Sequence, residues 1–179
     1  MHITTRKLTA AAVTGAAYAA LTMLLAPISY GAIQCRVSEV LCILPFFIPC
    51  TAWGLFAGCA IANLLSAAGI FDVIFGSLAT LLAALCTAWL GRGRGAQSWV
   101  RCIRAALMPV VFNFVFVGAV LTWSLTDAVF PHLNASFWVF GGQVALGEVA
   151  VLGVLGLPLM RLLPRNPKFR EIIRSYQKE

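Results

Sequence analysis

The sequence predicts an all-α membrane protein, a bundle of six transmembrane helices with both termini in the cytoplasm. Three observations carry this. Of its 179 residues 61% are hydrophobic and only 11% charged, against about 25% charged in soluble domains. The mean hydropathy is +0.92, and the apolar residues form long runs suited to crossing a bilayer. The basic residues, which give a net charge of +7, fall in short segments between those runs. A nucleic-acid binder would instead display them on the face of a soluble domain.

The first span is 8–26. Arg6 and Lys7 precede it, as in a signal peptide, but the run is long for a signal's apolar core and leads into Pro27 without a clean cleavage site. It therefore reads as a retained helix. Region 38–68 is too long for one span and short for two, and charge settles the count. Arg6 and Lys7, then Arg92, Arg94, Arg101 and Arg104, then Arg161, Arg165, Lys168, Arg170, Arg174 and Lys178 mark three cytoplasmic segments. Two ends on one side require an even number of crossings, so this region crosses twice. Pro45 and Pro49 mark the break, since proline removes a backbone donor, giving spans of about 38–50 and 51–68. Spans 70–90, 103–125 and 136–160 follow. The loops 27–37, 67–70 and 126–135 then lie outside, with Arg36 the lone external basic residue. The chain reads as a single membrane domain whose basic tail, 161–179, carries a short interfacial helix after Pro164. Phe169, Ile172 and Ile173 are expected to face lipid there.

Polar residues inside such spans are costly and point to function. Glu39 opens the second span and Asp72 the fourth, where the helix macrodipole alone could also favour an acid. Asp127 falls in a loop. Glu148 lies about 16 Å along the last span at about 1.5 Å per residue, where capping cannot explain it. No basic residue lies at similar depth in another span. Asn113 in the fifth span is its natural companion. Gln34, Gln143 and the aromatics Phe71, Phe112, Phe116, Trp123 and Trp138 complete the candidate set, and Asn63 reads as an interhelical hydrogen bond. Trp123 and Trp138 read as interfacial aromatics. Carboxylates, amides and aromatics suit a planar, donor-rich, cationic small molecule and not an anion. His2 and His132 lie outside the apolar runs, and no HExxH, GxSxG or P-loop occurs. The six cysteines show no metal-like spacing and read as free thiols. No metal or cofactor is implied.

In the first span, Ala12, Ala16 and Ala20 recur at i, i+4 and i+8 beside Gly15 and Ala19. Small residues at this spacing let another helix approach closely, either within the bundle or on a partner subunit.

Five blocks, "GAIQCRVSEVLCILPFF", "GLFAGCAIANLLS", "FDVIFGSLATLLAAL", "MPVVFNFVFVG" and "ALGEVAVLGVLGLPL", resemble in order the QueT family over about residues 8–163. That resemblance implies a non-catalytic substrate-binding (S) component of an energy-coupling factor (ECF) importer in the bacterial cell membrane. The ligand it implies is a queuosine precursor, a 7-deazaguanine. The implied partners are a transmembrane coupling protein and two ABC ATPases. It further implies that the first external segment, "SYGAIQCRVSEV", is a lid carrying Gln34 and Arg36, with Glu39 at its anchor. A surface ion pair between Arg36 and Glu39 is compatible with that. It also implies that the alanine face of the first helix docks on the coupling protein. An S component for another vitamin, an intramembrane enzyme and a ligand-free assembly subunit are the alternatives.

Overall fold

The computed structural model describes residues 4–30, 34–66, 68–92, 98–126 and 135–177, and every element in them is helical. Asp127, His132, Arg94 and Lys178 lie outside the described residues. In chain order the elements are α1 (Thr5–Leu24), the single turn α2 (Ala26–Ser29), a 3₁₀ helix (Val37–Phe46) and α3 (Thr51–Asn63). A π-helical turn (Asp72–Gly76) then runs into α4 (Ser77–Leu90), followed by α5 (Trp99–Thr126). The α6 helix (Ala135–Val151) continues through a second π turn (Leu152–Gly156) into α7 (Leu157–Leu162), and α8 (Pro167–Gln177) closes the chain.

Among the described residues, four units are long and apolar enough to cross a membrane: Thr5–Leu24, Asp72–Leu90, Trp99–Thr126 and Ala135–Arg165. These match the predicted spans 8–26, 70–90, 103–125 and 136–160. The predicted spans 38–50 and 51–68 are shorter. The 10 residues of the 3₁₀ helix cover about 20 Å at about 2.0 Å each. The 13 residues of α3 also cover about 20 Å, at about 1.5 Å each. Ten residues reach as far as thirteen because the 3₁₀ form is stretched. The chain turns between them at residues 47–50, and Pro45 sits inside the 3₁₀ helix.

The basic segments gather at one end of the bundle. The Arg6 guanidinium lies 5.3 Å from the Tyr176 ring centroid and Arg161 lies 4.3 Å from that of Trp99. The Arg101 side chain donates to the Arg92 carbonyl at 3.2 Å. An apolar core at this end joins Ile43, Phe46 and Phe47 to Cys102, Leu152 and Met160. The tail helix corrects the lipid-facing expectation. Phe169 and Ile173 pack on this core, with Phe169 edge-on to Phe47 at 5.6 Å, and only Ile172 is exposed. Its apolar stripe was legible, but the bundle covers it before lipid can.

A second core joins Tyr18, Cys42, Leu55, Cys59 and Ala84. Here α1 and α3 touch backbone to backbone. A Cβ on Gly15 would sit 2.5 Å from the Gly54 carbonyl oxygen, and one on Gly54 or Gly58 would strike the α1 backbone. Lipid is as apolar as leucine, so close packing, not exclusion of water, holds such helices together. This divides the small face of α1. Gly15 and Ala19 are buried in the fold, while Ala12, Ala16 and Ala20 remain exposed.

Gly54→Ala is therefore expected to destabilise the protein by about 1–3 kcal/mol through overpacking, read as a lower melting temperature in detergent. Ala16→Leu, on the exposed ridge, is expected to stay within about 0.5 kcal/mol of the parent. Equal melting of the two variants would refute the close α1–α3 contact.

Candidate functional site

The site is assembled by the segment that enters the 3₁₀ helix. Gln34 and Arg36 are buried, and the Cys35 amide donates to the Ile28 carbonyl at 3.2 Å. Gly147 of α6 lets this segment lie flat on it, because a Cβ there would come within 2.7 Å of the Gln34 carbonyl oxygen. On the other side, the Tyr30 hydroxyl donates to the Ala62 carbonyl of α3 at 2.5 Å, and the Arg36 guanidinium lies 5.6 Å from the Tyr30 ring centroid. The segment thus straps α6 to α3 and the start of α4.

Beneath it Arg36 Nη2 lies 3.4 Å from Asp72 Oδ2, with both side chains buried. This corrects the expected surface pair: Arg36 bonds Asp72, and Glu39 has other partners. Glu39 Oε1 accepts from the Tyr18 hydroxyl at 2.5 Å and Oε2 from the Cys42 thiol at 3.0 Å. The 3₁₀ helix produces that second contact, since its residues three apart share a face. Asn63 donates to the Asp72 backbone carbonyl at 2.9 Å, as an interhelical bond. Gly76 leaves the room this needs, for a Cβ there would lie 2.5 Å from Asp72 Oδ1 and 2.7 Å from Asn63 Nδ2. Thr80 reaches Cys59 at 3.3 Å, and the Thr22 and Ser38 hydroxyls are 2.6 Å apart.

Glu148 on α6 accepts from the side-chain amide of Asn113 on α5, and both are buried. Several buried polar atoms have no hydrogen-bond partner among the described residues: Gln34 Oε1, Asn63 Oδ1, Asp72 Oδ1, Asn113 Oδ1, Glu148 Oε2 and Arg36 Nε. All but the last are acceptors. An unsatisfied buried acceptor costs about 1–3 kcal/mol, so this set favours a molecule that brings several N–H donors.

Gln34, Arg36, Glu39, Asp72, Asn113 and Glu148 are thus buried around one strap. Gln143 is half-buried on α6 without a hydrogen bond among the described residues. The aromatics pair with one another: Phe112 with Phe116 at 6.4 Å, Phe71 with Trp123 at 4.7 Å, and Trp138 with Phe137 at 5.5 Å. Sequence reasoning missed Tyr18, Cys59 and Thr80. Tyr18 had a signal, a polar aromatic alone in an alanine-rich span, whose hydroxyl must find a partner when buried.

A family model described as QueT transporter matches residues 8–165. The "Queuosine precursor transporter QueT" of Lactococcus lactis subsp. cremoris (strain MG1363) is 33% identical over 144 residues, covering 79% of this chain and 82% of that protein. No solved structure matches.

Proposed function

Because the chain belongs to the QueT transporter family, we propose that it is the substrate-capturing S component of an ECF-type importer for a queuosine precursor. Membership makes it a multi-pass transport protein of the cell membrane rather than an enzyme. The substrate class is carried over from the name of the Lactococcus lactis relative. One observation supports it most: Glu148 and Asn113 are buried together, and Oε2 and Oδ1 have no hydrogen-bond partner among the described residues.

A 7-deazaguanine presents a ring N–H and an exocyclic amine on one edge, which these two oxygens would accept. Its carbonyl would take the donor left on Arg36, and an aminomethyl cation would be drawn to Asp72 or Glu39. The segment from Gln34 to Glu39 would act as the lid. The chain has no P-loop, so a coupling protein and two ATPases would supply the energy.

In this reading the chain crosses six times, with the 3₁₀ helix and α3 as two short crossings and both termini cytoplasmic. The clustering of Arg6, Arg92, Arg101 and Tyr176 at one end supports it. A cysteine introduced at Ser98 is expected to resist an impermeant thiol reagent in intact cells and to react after permeabilisation. Labelling from outside would overturn the topology.

The exposed ridge of Ala12, Ala16 and Ala20 is the proposed docking face for the coupling protein. Ala16→Trp is expected to leave ligand binding intact and to abolish uptake in cells with the full complex, because bulk there blocks helix approach. Normal uptake would remove this face from the mechanism.

Glu148→Gln replaces an acceptor with a donor aimed at the ligand's own N–H. The expected loss is at least ~2 kcal/mol in binding, roughly thirtyfold, for the free base or its aminomethyl form in titration calorimetry. Unchanged affinity would return Glu148 to a structural role and shift the site toward Glu39 and Asp72.

A further inference from the structure

A cavity of about 270 Å³ opens at the basic end of the bundle, between α1, the 47–50 turn, α3, α4 and α8. Lys7 and Arg92 line it, along with Cys50, Trp53, Leu85 and Tyr176. The rest of its lining is apolar, and Trp53 and Leu85 are 53% and 41% exposed on the outer faces of α3 and α4. Two cations at the rim of a wall that continues onto the hydrocarbon-facing surface match a molecule with an anionic head and an apolar tail.

We propose that this cavity binds the headgroup of an anionic phospholipid, its phosphodiester between Lys7 and Arg92 and its acyl chains over Trp53 and Leu85. Size supports a headgroup. Small-molecule sites hold about 300–1,000 Å³, so the cavity takes a phosphate and glycerol but not the tails, which run along the exposed apolar face. Charge supports the phosphate, since basic pockets between helices on this side of a membrane hold anionic heads. Tyr176, whose hydroxyl donates to the Arg6 carbonyl at 3.3 Å, adds an aromatic ring with a polar tip, the kind of residue favoured at a headgroup interface. The site also ties α8 to α1, α3 and α4, so an occupied cavity fastens the tail helix to the bundle. It is separate from the strap over Glu148 and holds whatever that site binds.

The test uses the full chain in neutral detergent, with native mass spectrometry to count retained lipid. Phosphatidylglycerol is expected to be retained about tenfold over phosphatidylcholine of the same acyl chains. Lys7→Gln/Arg92→Gln is expected to bring the ratio to one, with melting shown to persist. In the unmodified protein the preference is expected to fall as salt rises, because exposed charges are screened. Phosphatidylglycerol with brominated chains is expected to quench tryptophan emission, with the quenching reduced in Trp53→Phe. Equal retention of the two lipids, a preference indifferent to salt, or one that survives the double substitution would overturn the proposal. So would inorganic phosphate raising the melting temperature as much as the lipid does, which would make the cavity a free-phosphate site.

Discussion

Arg36 and Asp72 hold the upper half of this protein together. The two side chains are 5% and 0% exposed, in a chain whose other surfaces are built for hydrocarbon. An isolated charge in that setting costs about 2.5–3.5 kcal/mol on insertion scales, so each group depends on the other. Arg36 comes from the segment between α1 and the 3₁₀ helix, and Asp72 from the turn that starts α4. Their attraction therefore draws the strap down onto the bundle. At 3.4 Å the contact is longer than the usual charge-assisted bond of about 2.7–2.9 Å. Asp72 Oδ1 and Arg36 Nε keep no partner among the described residues. The contact that closes the top thus leaves valence free beneath it.

The backbone around this pair is irregular where side chains need room. Both π turns fall in apolar units that carry a buried acid, one beginning at Asp72 and the other starting four residues after Glu148. Such bulges recur at functional sites because they shift side chains out of regular helical register. The 3₁₀ helix does comparable work, setting Glu39 and Cys42 on one face while its stretched rise carries the chain back toward the basic end. Elsewhere the packing is tight. Glycines on α1 and α3 remove the side chains that would keep the two backbones apart.

Much of this could be read from the sequence, for reasons that also mark where reading stopped. Four membrane-length units followed from the apolar runs, because length in hydrocarbon is set by one-dimensional geometry. That Glu148 and Asn113 belong to one polar group followed because both stand inside neighbouring apolar spans; that they bond each other did not. The partner of Arg36 did not follow. Glu39 is three residues away in sequence, Asp72 thirty-six, and only the fold decides between them. The fate of α1's small residues was hidden for the same reason. Gly15 and Ala16 differ by one position, about 100° around the helix, and the boundary between inner and outer ridge depends on where α3 lies. Gly54 and Gly58, four apart, were the available signal. For α8 the apolar stripe was right, but a stripe does not say whether lipid or protein covers it.

The inner ridge of α1 links these features. Apolar contacts between helices in lipid are nearly interchangeable, so they fix the rotation of a helix about its axis only weakly. Hydrogen bonds fix it strongly, because the alternative is an unsatisfied group in hydrocarbon. Tyr18 bonds Glu39 and Thr22 bonds Ser38, two contacts one turn apart from α1 to the helix that follows the strap. They set the rotation of α1 and therefore the direction in which Ala12, Ala16 and Ala20 point. On the proposed reading, the face offered to a partner and the segment closing over a ligand are joined by these two bonds. A shift of Glu39 when the site fills would be felt first at Tyr18. The outward ridge lies on the same helix, so on that reading Tyr18 connects the two.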